Sequence, residues 1–221
     1  MENGNTKGIL FDLDGTLVDN FHAIHSCASY AARKLGLESP SFENTVNSVG
    51  GSILITMGKL FGEKDAMRLA EIYTENFYRF MFDGLTLMPR TVELLEFLRK
   101  KRYKIALFTN KEEHAAREIL SKLSILPYFC SVTGTTLYSP RKPDKEFTFT
   151  ALNKMKLLPE NALIVGDSLY DYNSAQNAGV NCALVATGTV AKSDLSKKAK
   201  NALGVYSDFS EMAERFFGAS L

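Results

Sequence analysis

The sequence of 221 residues predicts an α/β protein with a doubly wound, Rossmann-like parallel sheet and an all-helical cap inserted after the first strand. Three observations indicate this fold class. A short apolar run near the N-terminus ends in two carboxylates, the second half of the chain alternates strand-like and helix-like segments, and only helix-like segments lie between them. Short apolar runs bounded by turn signals are typical of buried parallel strands. Repeated βα units favour a parallel sheet with helices on both faces.

The first predicted strand is the apolar run that begins at residue 8 and ends at Asp12 and Asp14, which Gly15 follows. Carboxylates in this position lie at the carboxyl end of a buried strand, where open α/β sheets hold their ligands. Two anionic groups so close together repel each other unless a cation neutralises them. Oxygen ligands favour a hard ion, Mg²⁺ before others. The alternative is an ordinary strand end followed by an Asp-Gly turn.

Residues 17–87 are predicted to form the helical cap, and residues 1–16 and 88–221 the core. The predicted cap helices span residues 21–35, 42–48, 52–61 and 63–82. In the last of these, apolar residues from Met67 to Met81 recur at helical spacing, which indicates a face buried in the core. Because the insertion follows the first strand, we expect it above the carboxyl ends of the strands, where it can cover a site.

Helices and strands alternate after the cap. A helix over residues 90–101 follows Pro89, a residue common at helix starts. The later strands are predicted at residues 104–108, 131–134, 162–165 and 181–185 and near Val205, and the later helices at 112–123, 146–156, 172–178 and 209–217.

Charge and cysteine content argue against several classes of function. A net charge of +1 gives no reason to expect nucleic acid or a membrane as partner, and the lysine-rich stretch 192–200 is interpreted as a solvated helix face. Three widely spaced cysteines without a CxxC pair exclude a disulfide framework and a cysteine zinc site. The polar residues 1–7 and the absence of a long apolar run predict a soluble cytoplasmic protein. We expect a monomer or a homodimer.

Polar residues at three further places are expected to reach the same edge of the sheet. Thr109 and Asn110, followed by Lys111, end one strand; Lys142 lies in a loop before a helix; Asp167 and Asp171 follow another strand. The carboxyl ends of parallel strands lie side by side, so these residues converge on one crevice. The aspartates add oxygen ligands for a metal, whereas Thr109, Asn110 and Lys142 can hold phosphate oxygens.

With these motifs, the sequence resembles the haloacid dehalogenase superfamily over essentially the whole chain, and in particular its branch with phosphoglycolate phosphatases and β-phosphoglucomutases. The resemblance implies that Asp12 is the nucleophile and Asp14 the acid/base. It also implies that Thr109 and Lys142 bind the transferring phosphoryl group.

The predicted metal ligands are carboxylates from the first and last motifs: Asp12, Asp14, Asp167 and Asp171. For the last motif, the resemblance implies that Asp167 binds Mg²⁺ directly and that Asp171 does so directly or through water.

The predicted function is hydrolysis of a small phosphomonoester, phosphoglycolate- or sugar-phosphate-like, by an Mg²⁺-dependent phosphatase. Attack by Asp12 gives an aspartyl-phosphate, and Asp14 protonates the leaving oxygen and later accepts a proton from water. A sugar phosphomutase is the closest alternative, although Ile24 stands where the mutase branch usually has a cap histidine. A phospho-accepting signalling domain would lack the helical insertion and an acid/base like Asp14. A catalytically inactive binding scaffold is the remaining alternative.

In the cap, Gly50, Gly51 and His22 are the candidates for substrate contact, with Asn20 beside them. The Gly50-Gly51 pair falls where relatives carry a loop that dips toward the substrate, and its alternative is a plain turn between helices. His22 and His25 share one helix face but have no further metal ligands nearby, so a metal role is not favoured.

Overall fold

The computed structural model of the chain describes residues 6–221. Most of the predicted polar N-terminus, residues 1–7, therefore lies outside the described residues. The strands are β1 (Gly8–Phe11), β2 (Val18–Asp19), β3 (Thr86–Leu87), β4 (Lys104–Glu112), β5 (Ser131–Thr135), β6 (Ala162–Gly166), β7 (Asn181–Val185) and β8 (Gly204–Tyr206). The helices are α1 (Phe21–Lys34), α2 (Phe42–Ser48), α3 (Ile53–Phe61), α4 (Glu63–Asn76), α5 (Thr91–Lys100), α6 (Glu113–Lys122), α7 (Lys145–Met155), α8 (Leu169–Ala178), α9 (Lys192–Lys198) and α10 (Phe209–Phe217).

The main sheet is parallel, in the order β5-β4-β1-β6-β7-β8. β1 pairs with β4 on one side and β6 on the other, so that Gly8 lies opposite both Lys104 and Ala162. All four residues of β1 are buried, as expected for a central strand covered on both faces. The predicted fold class is confirmed.

Helices cover both faces of the sheet because alternate strand residues point to opposite sides. Ile9 and Phe11 pack in the hydrophobic cluster that contains buried residues of α5, α6 and α10. Leu10 and Phe108 pack in a second cluster with buried residues of α7, α8 and α9. The two layers hold the strand ends at fixed positions relative to one another.

The helical cap consists of α1–α4 and lies between β2 and β3 in the chain. These two strands form a separate antiparallel ribbon in which Val18 pairs with Leu87. The Thr91 hydroxyl donates to the Leu17 carbonyl at 3.1 Å beside this ribbon. The ribbon was not predicted, since two residues are too few to show a periodic pattern. The division of the chain at residues 17 and 87 remains a prediction.

Two element boundaries differ most from the sequence-based prediction. The helix predicted over residues 63–82 ends at Asn76, whose side-chain amide donates to the Ile72 carbonyl, and a 3-10 turn (Phe77–Arg79) follows. Met67, assigned to the buried face, is 40% exposed. The strand predicted to end at residue 108 continues to Glu112 through an irregularity in its pairing with β5.

The three cysteines are free. The lysine-rich stretch forms α9, whose Leu195 is buried while most of its lysines are exposed, as predicted for a solvated helix face. In residues 6–221, no helix has both the length and the apolar character that a membrane crossing needs.

Candidate active site

The carboxyl ends of three adjacent strands form the centre of the site. Asp12 directly follows β1, Thr109 belongs to the end of β4, and Asp167 directly follows β6. Because β1 lies between β4 and β6, residues that are far apart in sequence meet at one edge of the sheet. The structure therefore brings the core motifs together as the sequence predicts.

Lys142 is the buried cation of the site. Its Nζ lies 2.9 Å from Oδ1 of Asp12 and 2.6 Å from Oδ1 of Asp171. The ammonium group also stands over the Phe108 ring, 4.7 Å from its centroid. Burial acts to lower the pKa of Lys142, but the charges of Asp12 and Asp171 and their hydrogen bonds outweigh it and raise the pKa. The lysine thus carries its positive charge next to Asp12.

Asn110 holds the loop that presents Lys142. Its Oδ1 accepts a hydrogen bond from the backbone N–H of Lys142 at 2.8 Å, and the Lys142–Pro143 peptide bond is cis. Asn110 was predicted to hold phosphate oxygens. The structure places it at the cavity wall, with its amide engaged by the Lys142 backbone. Thr109 is buried, and its hydroxyl accepts from the Lys111 N–H at 3.2 Å.

Asp12, Asp167 and Asp171 form a buried carboxylate cluster with one oxygen of each within 4.8 Å of the others. Burial raises the pKa of Asp12 to about 6; Asp171 and Asp14 add to the rise and Lys142 opposes it. Burial also raises the pKa of Asp167 well above its usual range, and Asp12 and Asp171 add to that rise. The ionised cluster is therefore costly without a cation. Buried oxygen donors of this kind fit a hard divalent ion such as Mg²⁺.

Neighbouring groups orient two of these carboxylates. The Thr16 hydroxyl donates to Asp167 Oδ1 at 3.0 Å. Asp171 Oδ2 accepts from both the backbone N–H and the hydroxyl of Ser168, at 3.1 and 2.7 Å. Gly188, in the loop after β7, lies so close to Asp167 that a Cβ would overlap its carboxylate. These contacts leave the cluster little freedom to rearrange.

Asp14, the fourth predicted metal ligand, is not one of the three carboxylates of this cluster, and its role at a metal stays a prediction. Its Oδ2 pairs with Lys111 Nζ at 2.9 Å, and its Oδ1 accepts from Asn20 Nδ2 at 3.3 Å. Gly15 has φ +81°, a left-handed conformation that suits glycine and turns the chain immediately after Asp14. The two aspartates of the first motif therefore face different neighbours, which suits them to different roles.

A cavity of about 100 Å³ lies between the core and the cap. Asp12, Asp14, Thr109 and Lys142 line it from the core side. The cap side is largely apolar and is lined by Ile24, Val49, Gly50, Gly51, Ile53, Thr56, Tyr73, Thr74, Phe77 and Tyr78.

The predicted cap contacts divide into two groups. Gly50 and Gly51 lie in the cavity wall, and Gly50 has φ +120°, which favours glycine. His22 does not line the cavity: it is exposed and stacks on Phe42, with ring centroids 4.5 Å apart. His25 forms a hydrogen bond with the Thr45 hydroxyl at 3.1 Å. The helix turns both imidazoles away from the cavity and points Ile24 into it.

Lys111 and Glu112 are site residues to which the sequence analysis assigned no role. Lys111 Nζ stands 4.5 Å from the Phe77 ring centroid of the cap, besides its ion pair with Asp14. Glu112 accepts a hydrogen bond from the Tyr78 hydroxyl of the cap at 2.7 Å. Both face the cavity because β4 continues past residue 108, an extension that local sequence pattern does not signal. Their position directly after Thr109-Asn110 was the available clue.

Comparison with known proteins shows similarity to hydrolases in both sequence and fold. The haloacid dehalogenase-like hydrolase family model matches residues 9–185. A phosphoglycolate phosphatase of Aquifex aeolicus is 30% identical over 182 residues, covering 82% of this chain and 85% of the relative. A phosphoglycolate phosphatase of Cereibacter sphaeroides is 31% identical over 188 residues, with the same coverage of both chains. A haloacid dehalogenase-like hydrolase of Streptococcus pneumoniae has the same fold, with a TM-score of 0.82, 24% identity and coverage of 93% and 95%.

Proposed function

The chain belongs to the haloacid dehalogenase-like hydrolases and is a hydrolase of phosphoric monoesters, and from this premise we propose its detailed chemistry. The substrate is a small phosphomonoester, phosphoglycolate- or sugar-phosphate-like, and the reaction depends on Mg²⁺ and passes through an aspartyl-phosphate at Asp12. The ion pair between Asp12 and Lys142, beside the buried Asp167, is the observation that supports this function most directly.

Asp12 is the nucleophile. It follows the central strand, faces the cavity and has a pKa of about 6, so it is ionised at neutral pH. A carboxylate oxygen attacks phosphorus and forms the O–P bond while the bond from phosphorus to the leaving oxygen breaks. Lys142 lies 2.9 Å from the same carboxylate and can bind a non-bridging phosphoryl oxygen, which offsets negative charge in the transition state. Thr109 lines the cavity next to it and can donate a hydrogen bond to the same group.

Asp14 is the general acid and base. It lines the cavity and lies outside the carboxylate cluster, on the side that faces Lys111. A proton from Asp14 passes to the leaving oxygen, and Asp14 later accepts a proton from the water that attacks the aspartyl-phosphate. Water attack breaks the bond between Asp12 and phosphorus and releases inorganic phosphate. Asn20 keeps the carboxylate in place through its 3.3 Å hydrogen bond.

Asp12 and Asp167 would hold Mg²⁺ directly. Asp171 would do so directly or through water, because Lys142 and Ser168 already donate to its two oxygens. When bound, the ion supplies electrostatic stabilisation of the charge on the phosphoryl oxygens. Its charge also removes the repulsion among the buried carboxylates, which supports the proposed metal dependence.

The cap favours a phosphatase over a mutase. Ile24 lines the cavity at the position where the mutase branch usually has a histidine, and both nearby histidines face elsewhere. No imidazole in the described cavity lining can therefore activate a second sugar hydroxyl. Water is then the acceptor of the phosphoryl group.

The test is an assay of the purified protein with Mg²⁺ against 2-phosphoglycolate, β-glucose 1-phosphate, p-nitrophenyl phosphate, a phosphoprotein and a polynucleotide. We expect inorganic phosphate from the small esters only, and after rapid acid quenching a phosphate adduct on the peptide that contains Asp12. The Asp12→Asn variant, purified by the same procedure, is the control for a contaminating phosphatase. Conversion of β-glucose 1-phosphate to the 6-phosphate in the presence of the 1,6-bisphosphate would make the protein a mutase.

A further inference from the structure

The loop that connects α2 and α3 carries the two glycines of the cavity wall. This glycine loop, residues 49–52, ends at Ser52, and its residues Val49, Gly50 and Gly51 line the cavity. Adjacent glycines leave a backbone many accessible conformations. Such a loop needs contacts outside its own backbone if it is to keep one shape over a substrate.

Ser52 does not cap the helix that it precedes. It occupies the N-cap position of α3 with φ −70° and ψ 164°, yet within residues 6–221 no backbone N–H of the first turn donates to its side chain. By contrast, Ser41 at the N-cap of α2 accepts from the Asn44 N–H at 3.1 Å. A serine in this position normally caps its helix, so the Ser52 hydroxyl serves a different contact.

Arg141 of the core makes that contact. Its Nη1 donates to the Ser52 hydroxyl at 3.1 Å, and its Nη2 donates to the Leu137 carbonyl at 2.8 Å. Hydrogen bonds from a charged donor are stronger than those between neutral groups. Ser52 is 2% exposed, so water competes little for its hydroxyl.

The backbone that carries Arg141 is well anchored in the core. The Arg141 N–H donates to Asp144 Oδ2 at 3.1 Å, and its carbonyl accepts from the Asp144 N–H at 2.7 Å. The next residue, Lys142, is held by Asn110 and by two carboxylates. Arg141 therefore extends from a fixed point, and the cap loop is the partner that gains order from the contact.

Packing alone holds the glycine loop less firmly. A Cβ at Gly50 would lie 3.7 Å from Tyr170 Cδ2 and 3.8 Å from Ser168 Cβ. Contacts of this kind have little directionality, whereas a hydrogen bond to Arg141 fixes the end of the loop relative to the core. Arg141 lies outside the described cavity lining, so it acts on a substrate through the loop.

We propose that Arg141 is a positioning residue, which keeps the glycine loop against the leaving group of the bound substrate by holding Ser52. This inference rests on the proposed phosphatase function and extends it to a core residue outside the cavity. Binding of the phosphoryl group by Lys142 and Thr109 should not depend on Arg141, whereas binding of the leaving group should.

The kinetic test compares Arg141→Met and Ser52→Ala with the wild type on 2-phosphoglycolate and p-nitrophenyl phosphate. We expect KM to rise about tenfold for both esters, the value of one hydrogen bond from a charged donor, with kcat changed by less than about twofold. The double variant should lose no more than Arg141→Met, because both changes remove the same contact. Arg33→Met is the matched control, since Arg33 donates to the Ser39 hydroxyl at 3.2 Å inside the cap.

Ligand binding separates an effect on the loop from an effect on the core. Calorimetry should show that Arg141→Met binds propylphosphonate about tenfold more weakly than the wild type does, and inorganic phosphate equally well. An equal loss for both ligands would mean that Arg141 supports Lys142 and not the loop, which would overturn the inference. Additive losses in the double variant would also overturn it.

Hydrogen exchange observes the loop itself. In Arg141→Met and in Ser52→Ala, the amides of residues 49–52 should exchange about tenfold faster than in the wild type and in Arg33→Met, while those of β1 stay unchanged. Unchanged exchange in the loop would contradict the role given to Arg141. Because exchange does not depend on turnover, it decides that role even if the wild type hydrolyses no ester, a result that would contradict the proposed function alone.

Discussion

The two walls of the cavity are built in opposite ways. The core wall presents the polar side chains of Asp12, Asp14, Thr109 and Lys142. Asp12 and Lys142 form an ion pair, and Asn110 holds the Lys142 backbone. The cap wall presents apolar side chains and two adjacent glycines, Gly50 and Gly51. The proposed function assigns the reaction to the core wall and the choice of substrate to the cap wall. With this division, substitutions in the cap wall can change the substrate while the reaction at the core wall stays the same.

The two walls also differ in how firmly they are fixed. The core residues extend from a sheet with helices on both faces, whereas the cap is joined to the core through the β2–β3 ribbon and through side-chain contacts. Polar contacts between them include the hydrogen bond from Tyr78 to Glu112 at 2.7 Å and that from Arg141 to the Ser52 hydroxyl at 3.1 Å. We expect changes in the core wall to alter kcat for every substrate, and changes in the cap wall to alter KM selectively.

The largest effect is expected from Asp12→Asn in the core wall. The amide is nearly isosteric but cannot attack phosphorus, so kcat should fall at least about a thousandfold, more than about 4 kcal/mol in barrier height. Asp83→Asn, an exposed change in the cap, is the control and should leave kcat unchanged. Circular dichroism should show that both variants are folded. Activity of Asp12→Asn above a thousandth of the wild type would mean that water attacks phosphorus directly.

Asp14→Asn should separate acid catalysis from nucleophilic attack within the same wall. Because protonation matters most for a strongly basic leaving group, we expect single-turnover phosphorylation to slow about 100-fold or more with an alkyl phosphate and far less with p-nitrophenyl phosphate. Rapid-quench measurement on both esters gives the two rates. An equal loss on both would show that Asp14 serves only to position its neighbours, Lys111 among them.

Mg²⁺ should stabilise the core wall measurably. Because burial raises the pKa of Asp12 and Asp167, their ionisation costs folded stability as the pH rises above the usual carboxyl range, and a bound cation offsets this cost. At a hundred times its dissociation constant the ion should add about 2.7 kcal/mol at neutral pH, or roughly 5–10 °C in Tm. Asp167→Asn should lose this shift and Asp83→Asn should keep it, at constant ionic strength. An equal shift in Asp167→Asn would place the ion elsewhere.

The smallest effect is expected from Gly51→Val in the cap wall. A Cβ at Gly51 would lie 3.0 Å from both Ile55 Cγ2 and the Tyr170 hydroxyl, so a larger side chain must displace its neighbours at the cavity wall. We expect KM to rise several-fold for bulky leaving groups, about 1 kcal/mol, with little change in metal dependence. Gly58→Val in α3 is the control, since its Cβ would meet only the flexible Glu63 carboxylate. If neither variant affects any substrate, the glycine loop is only a turn between helices.

The contrast between the walls also explains what the sequence could predict. The strand-end motifs at Asp12 and Asp167 carry charged residues next to apolar runs, and their convergence follows from the geometry of a parallel sheet. The position of Lys111 in the cavity wall and the exposure of His22 were not predictable in this way. The first depends on the extension of β4 beyond residue 108, and the second on the rotation of α1 about its axis. Neither the continuation of a strand through an irregular pairing nor the rotation of a helix leaves a periodic signal in one sequence.

Asp171 illustrates how one side chain with two structural tasks limits the substitutions that a protein tolerates. One of its oxygens accepts from Ser168 at the start of α8, and the other pairs with Lys142, so the residue serves helix initiation and catalytic charge together. A substitution there must satisfy both demands in one step, because the same carboxylate makes both contacts. Natural variants at this position are therefore expected to be rare, and laboratory variants to lose yield and activity at once. Adaptation to a new substrate would leave Asp171 untouched and proceed through the residues of the cap.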